Sequence, residues 1–279
     1  MEISKNKILY VTHEMTPYME MTGMADTARL LPQHMQEKGM EVRVFMPRFG
    51  SIKERKHRLH EVIRLSGINI PVGEDDNPLI IKVASLPSAK MQIYFLDNED
   101  YFNKRGYLAT EDNKFFPDND ERVIFFNKGV IEIIMKLGWI PDIIHCHGWM
   151  ASLVPMYIRT VAKNEPVFKN TRIVYSIYES DFKQTLGKEF AEKALIPGQS
   201  KHHMENLEDP GCSELYLSAV NFADAIVLGS PEIPGEVSKC INRMDKPVIA
   251  YQDPKVDNYA ESIYDLYQSL AETEVLEKH

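Results

Sequence analysis

The residues that most constrain this chain lie at its start, where a strand, a helix and a second strand follow in immediate succession. Ile8-Leu9-Tyr10-Val11-Thr12 is a β-branched and apolar run with no clean alternation, the pattern of a parallel strand covered on both faces. Ala25, Ala28, Leu31, Met35 and Met40 then recur at helical spacing, and Gly39 closes the segment where a C-terminal glycine belongs. Val42 to Pro47 supplies the second strand. Such a unit builds parallel sheets with right-handed crossovers, so the expected fold is α/β, Rossmann-like and doubly wound.

The middle of the chain departs from this rhythm. Leu59–Leu65, Leu79–Ala84 and Met91–Leu96 read as strands, with a turn over Glu74 to Pro78. They predict a β-hairpin insertion over about residues 58–97 that returns to the sheet at Ile93 to Leu96. The alternation then resumes with a helix from Pro117 to Leu137 and a buried strand from Asp142 to Cys146. A helix from about Trp149 to Lys163 and a strand from Arg172 to Ile177 come next. Helical segments near Lys183–Ala194 and Ser213–Asn221 precede a strand at Ala225–Leu228, and Lys246–Ala250 reads as a last short strand. A carboxyl-terminal helix over about 258–271, with Ile263, Tyr264, Tyr267 and Leu270 on one face, is expected to pack back on the body. The expectation is one domain over residues 1–279, with no flexible linker and no internal repeat.

Composition narrows the function classes. The net charge of −9 argues against a general binder of nucleic-acid phosphates. No apolar stretch approaches the roughly 20 residues that span a bilayer, and the Met-Glu-Ile-Ser-Lys start lacks the features of a secretory signal. Three well-separated cysteines, Cys146, Cys212 and Cys240, suit a reducing compartment. The expectation is a cytoplasmic protein without nucleic-acid or membrane partners.

In a doubly wound sheet, chemistry belongs at the carboxyl ends of the strands, where the loop after the first strand meets a helix amino terminus. That loop, His13 to Asp26, contains neither a G-x-G-x-x-G nor a P-loop. As an ordered string, however, Glu14-Met15-Thr16-Pro17, Gly23-Met24-Ala25-Asp26 and Leu31-Pro32 resemble glycogen and starch synthases. Pro141-Asp142-Ile143-Ile144-His145-Cys146-His147-Gly148-Trp149 is similar to the family's Pro-Asp-x-x-His-x-His-Asp-Trp-His segment. Tyr94 to Asp97, Tyr101-Phe102, Arg105-Gly106-Tyr107, Pro117 to Arg122 with Phe125-Phe126, and Asn221 to Ala225 with Ser230-Pro231 continue the resemblance in order.

The resemblance implies the amino-terminal, Rossmann-like half of a two-domain, GT-B-type glycosyltransferase that extends α-1,4-glucans from ADP-glucose without a metal or cofactor. A complete donor site in that family needs a second domain, and the length here accommodates about one. The resemblance also exposes departures. Glu20 stands where the family's lysine meets the donor phosphates, replacing attraction by repulsion. Gly148 and Met150 replace the acid and the second histidine of the Asp-Trp-His segment, and Tyr178-Glu179 replaces a His-Asn pair at the reacting sugar. No confident catalytic residue therefore remains.

Glu14, Gly23, Asp26, Tyr107 and Trp149 survive from the family's cleft and form the expected substrate-binding set, with aromatic faces for sugar stacking. His145-Cys146-His147 lacks further ligands at metal-site spacing, so no metal is expected. The expectation is a catalytically impaired homologue that binds α-1,4-glucan or regulates its metabolism. Its expected partners are glucan and either a glucan enzyme or a second copy. The alternatives are an ADP-glucose-dependent transferase completed by a partner chain and a non-carbohydrate interaction scaffold.

Overall fold

The computed structural model describes residues 6–86, 89, 91–110, 112, 114–179, 182–256 and 258–277, with side chains as far as residue 271. The first half contains β1 (Lys7–Val11), α1 (Gly23–Glu37), β2 (Glu41–Pro47), α2 (Glu54–His57), β3 (His60–Glu61), β4 (Ile68–Val72), β5 (Asp75–Leu86), β6 (Met91–Asp97) and α3 (Asn119–Leu137). The second half adds β7 (Ile143–His147), α4 (Leu153–Thr160), β8 (Arg172–Ile177), α5 (Phe190–Ala194), α6 (Cys212–Phe222), β9 (Ala225–Leu228), α7 (Gly235–Ile241), β10 (Val248–Ile249) and α8 (Asn258–Glu277).

The strands run in the order β10-β9-β8-β7-β1-β2-β6-β5-β3, and β4 pairs with β5 off this path. Every neighbouring pair from β10 to β6 is parallel, and β5 then reverses direction. Leu9 of β1 faces Arg43 on one side and Ile144 on the other. Connections leave β1 in one direction and pass through β7 in the other, so the carboxyl ends of β1 and β7 flank a topological switch point. Both strands are buried on both faces, apart from the half-buried Lys7, as their unalternating sequences require.

The hairpin region differs from its sequence reading. Among its described residues it holds four strands, and the reversal between β4 and β5 lies at Gly73-Glu74, not over Glu74 to Pro78. Gly73 takes φ +60, a region that favours glycine, so Asp75 to Pro78 continue as strand opposite Val72 to Asn69. Acidic, Asn and Pro residues signal turns, but on this solvated edge they are tolerated in a strand. Residues 87, 88 and 90 of the region lie outside the described set. The helix expected from Trp149 to Lys163 is interrupted: a 3₁₀ turn spans Trp149–Ala151 before α4 begins. Of the helix expected over Lys183–Ala194, only α5 forms.

Buried apolar side chains of the strands and of α1, α3, α4, α6 and α8 make one contiguous core. Asn127 of α3 is fully buried and organises the loop after β7, accepting from the amides of Leu153 (3.0 Å) and Val154 (2.9 Å) and donating to Met150 O (2.8 Å). Arg122 on the same helix donates to the carbonyls of Tyr101 (2.6 Å) and Tyr107 (2.7 Å), fixing the loop that carries Tyr107. Ile263, Tyr267 and Leu270 of α8 are buried, and Glu261 pairs with Lys38 at 2.7 Å at the end of α1. No helix among the described residues is long and apolar enough to cross a membrane.

Candidate functional site

The loop after β1 is built around a buried carboxylate. Glu14 has no exposed surface. Its Oε2 accepts from the amides of Met21 (3.2 Å) and Thr22 (2.7 Å) and from Thr22 Oγ1 (3.1 Å), while Oε1 accepts from the Tyr107 hydroxyl at 2.6 Å. Four donors satisfy an ion that would otherwise be costly to bury. Thr22 also caps α1, accepting from Met24 N at 3.2 Å. The segment from Glu20 to Gly23 is therefore drawn over Glu14, with Glu20 and Gly23 themselves exposed. A Cβ at Gly23 would meet no atom within 4 Å, so this helix start is open.

Asp26, one turn into α1, accepts from Thr16 Oγ1 at 3.2 Å and pairs with Lys255 at 3.0 Å. The hydrogen bond from Lys255 is the main reason its carboxyl titrates below the usual range. The pair ties the segment before α8 to the mouth of the site.

Across the switch point, Gly148 adopts φ +70, and a Cβ there would lie 3.0 Å from both His13 Cε1 and Met24 Sδ. Close approach of these side chains therefore depends on glycine at this position. The expectation that Trp149 offers a face to sugar is corrected by the structure. Its ring is fully buried, edge-on to Phe182 at 4.6 Å and 5.8 Å from His13; a side chain with no exposed surface cannot stack on a ligand. Met150 is likewise buried. Tyr107 is half-buried, ring-stacked on His13 at 6.4 Å and committed through its hydroxyl to Glu14.

Tyr178 lies beneath this mouth, 6% exposed. Its hydroxyl is 2.8 Å from His147 Nδ1, and burial pushes its pKa well above the ordinary phenol value. A Cβ on Gly229 would fall 2.6 Å from the Tyr178 ring, so the glycine makes room for it. Glu179 is exposed, and its amide donates to Ser230 Oγ at 3.0 Å. The structure thus gathers Glu14, Gly148, Trp149 and Tyr178 around His13 and His147, but turns Glu20 and Glu179 outward.

A buried polar chain continues from His147 into the sheet. The rings of His145 and His147 meet with centroids 4.1 Å apart, tilted by 30°. His145 Nε2 is 2.7 Å from Ser176 Oγ and its Nδ1 2.6 Å from the Tyr267 hydroxyl, which donates to Tyr10 at 3.1 Å. Burial depresses both histidines, His147 to about 3 and His145 well below its usual value, so both are neutral at pH 7. Both nitrogens of His145 are committed to hydroxyls.

A pocket with two half-buried phenylalanines lies in a place that the sequence did not single out. This pocket, of about 460 Å³, is lined by Lys114, Phe115, Phe116, Gln184 and Thr185. Phe115 stacks on Phe182 at 5.0 Å, and Phe182 in turn meets Trp149. These residues lie on irregular loops after β6 and β8, where no periodicity marks them; two adjacent phenylalanines before the α3 start were the available signal.

The starch synthase catalytic domain family matches residues 7–245. A glycogen synthase of Chlorobium luteolum is 43% identical over 209 residues, covering 72% of this chain and 42% of that protein. A glycogen synthase of Chlorobium phaeovibrioides is 37% identical over 242 residues, covering 83% and 47%. The chain spans about half the length of the curated relatives it matches. Among solved structures, the catalytic domain of starch synthase IV from Arabidopsis thaliana, bound to ADP and acarbose, superposes with a TM-score of 0.71 at 16% identity over 88% of this chain and 51% of that one. That likeness supports the Rossmann-like fold, and with residues 7–245 matched, this chain belongs to the starch synthase catalytic domain family.

Proposed function

We propose that this chain is a catalytically impaired, glycogen-synthase-type domain that binds α-1,4-glucan. The observation that carries the reading is Tyr178: where the family's histidine meets the reacting sugar, a buried phenol is bonded to His147 and packed on Gly229. A phenol whose ionisation is suppressed by burial offers less to a developing charge than an imidazole does. Two neighbouring features support it. Glu20 puts a solvated negative charge beside the α1 amino terminus, opposing a diphosphate that the helix end favours. The backbone at Gly148 leaves no unstrained room for the family's acid.

Glucan binding rests on the pocket of Phe115 and Phe116, where the half-buried ring of Phe115, stacked on Phe182, and that of Phe116, with Arg105 at 4.6 Å over it, adjoin Gln184, Thr185 and Lys114. Sugars present an apolar face for stacking and hydroxyls for such polar groups. Calorimetric titration with maltoheptaose should give binding that Phe115→Ala weakens, while label from ADP-glucose should not transfer to the oligosaccharide. Transfer at rates typical of enzymes, roughly 1 s⁻¹ or more, would overturn the impairment; absence of binding at millimolar maltoheptaose would overturn the glucan assignment.

A further inference from the structure

The segment from Lys53 to Arg64 is an island of positive charge on a chain of net charge −9. Lys53, Arg55, Lys56, Arg58 and Arg64 are all exposed. None of them has a carboxylate partner among the described ion pairs, in contrast to Lys38, Lys104, Arg105, Arg159, Lys193 and Lys255. Of the segment's two carboxylates, Glu54 is turned to Arg48 and to Lys82 at 2.6 Å and Glu61 is exposed, which leaves the cations in excess.

Within this island Ile63 is 83% exposed. It sits on a rigid turn: Leu65 N donates to Val62 O at 2.9 Å, Val62 N to Ile81 O at 2.8 Å, and Ile81 N to Ser66 Oγ at 3.0 Å. Leu65 is buried beneath it. The backbone turn presents the isoleucine outward, with Arg64 next to it and Arg58 five residues before it in sequence.

A surface of opposite character is built on elements that also pack on α3. The face of α5 and the 3₁₀ segment Lys201–Leu207 enclose a groove of about 750 Å³. Ala191, Leu195 and Met204 form its apolar floor, Glu192, Glu205, Glu208 and Asp209 its rim, and Lys188 and Lys201 complete the lining. Helix α3 connects the two surfaces. Lys128 donates to Leu195 O at 3.3 Å beside the groove, and Lys136, eight residues on, to Ser66 O at 3.4 Å beneath the isoleucine turn. At 1.5 Å per residue that is about 12 Å along the helix axis.

We infer that Ile63 and its flanking arginines dock into the acid-rimmed groove of a second copy, forming a two-fold dimer in which each copy gives and receives one isoleucine. The match is twofold: an apolar anchor meets an apolar floor, and unpaired cations meet a carboxylate rim. With both surfaces anchored on α3, a two-fold axis lets each contact be made reciprocally and closes the assembly at two.

Sedimentation velocity on the full chain across a concentration series tests this. The wild-type protein should pass from monomer to dimer, with association weakening as salt rises from 50 to 500 mM. Ile63→Glu, at a site too exposed to unfold the chain, should weaken dimerisation roughly tenfold to hundredfold. Arg58→Glu/Arg64→Glu and Glu205→Lys/Glu208→Lys should each be monomeric alone, yet form a mixed dimer when combined, since one copy's intact turn then meets the other's intact groove. A wild type that stays monomeric at high concentration, or a dimer indifferent to these variants, would overturn the proposal. Heparin retention lost in the arginine variant while the wild type stays monomeric would assign the turn to an anionic polymer instead.

Discussion

Glu14 Oε1 lies 2.6 Å from the Tyr107 hydroxyl, joining the loop after β1 to one 93 residues away in sequence. The same carboxylate holds the amides of Met21 and Thr22. Glu14→Gln keeps the size but sets an NH₂ group against one of these donors and removes the charge. Loss of charged hydrogen bonds of this kind costs about 1.5–3 kcal/mol. Chemical denaturation of Glu14→Gln, Tyr107→Phe and the double variant should show the two changes to be non-additive; additivity would mean that the contact contributes nothing.

The buried histidines set an acid limit on stability. His145 and His147 are neutral in the folded state and titrate near 6.5 when unfolded. Below pH 6.5 the unfolded chain binds protons that the folded one does not, so stability falls as pH falls, continuing for His147 towards its folded value of about 3. Each group contributes about 1.4 kcal/mol per pH unit in this window, or about 2 kcal/mol by pH 5. Urea midpoints from pH 7.5 to 5 should fall more steeply for the wild type than for His147→Gln. Equal slopes would show that His147 titrates alike in the folded and unfolded chain, so that its burial costs nothing.

Gly229 is where Tyr178 leaves no space. Gly229→Ala places a carbon 2.6 Å from the phenol ring and should destabilise by about 1–3 kcal/mol, the range for overpacked sites. Tyr178→Ser should relieve most of that cost. If Gly229→Ala is neutral in thermal melts, the ring is free to move, and the packed position argued for Tyr178 is wrong.

Glu20 should govern anion affinity at the α1 amino terminus. Reversing its charge in Glu20→Lys should raise ADP affinity roughly threefold to tenfold at low salt, with the gain shrinking as salt screens the exposed charge. Calorimetry that finds no change would mean that loss of nucleotide affinity does not lie at this position.

The sheet was legible because β1, β2, β7 and β8 are apolar runs separated by helical periodicity. The family was legible because its motifs keep their order from Ile8 to Pro231. Positions that depend on tertiary enclosure were not legible. Trp149 reads as a stacking aromatic, yet Phe182 covers it, and Phe182 sits in a loop with no periodic signature. Glu14 reads as a ligand, yet its donors come from Tyr107 and from its own loop. Asp75 and Asp76 read as a turn, yet the reversal is fixed two residues earlier by the left-handed backbone at Gly73. Tyr267, which ends the His145 chain, is visible as a helix-face residue but not as a hydrogen-bond partner.

The central claim is that a glucan groove persists beside a disabled reacting centre. Co-sedimentation of the purified chain with glycogen, with Phe115→Ala beside it, tests that claim most directly. The account predicts that the wild-type protein pellets with the polysaccharide and that the variant stays largely in the supernatant. Equal pelleting of both would move the glucan surface away from Phe115, and a wild-type protein that never pellets would contradict the account.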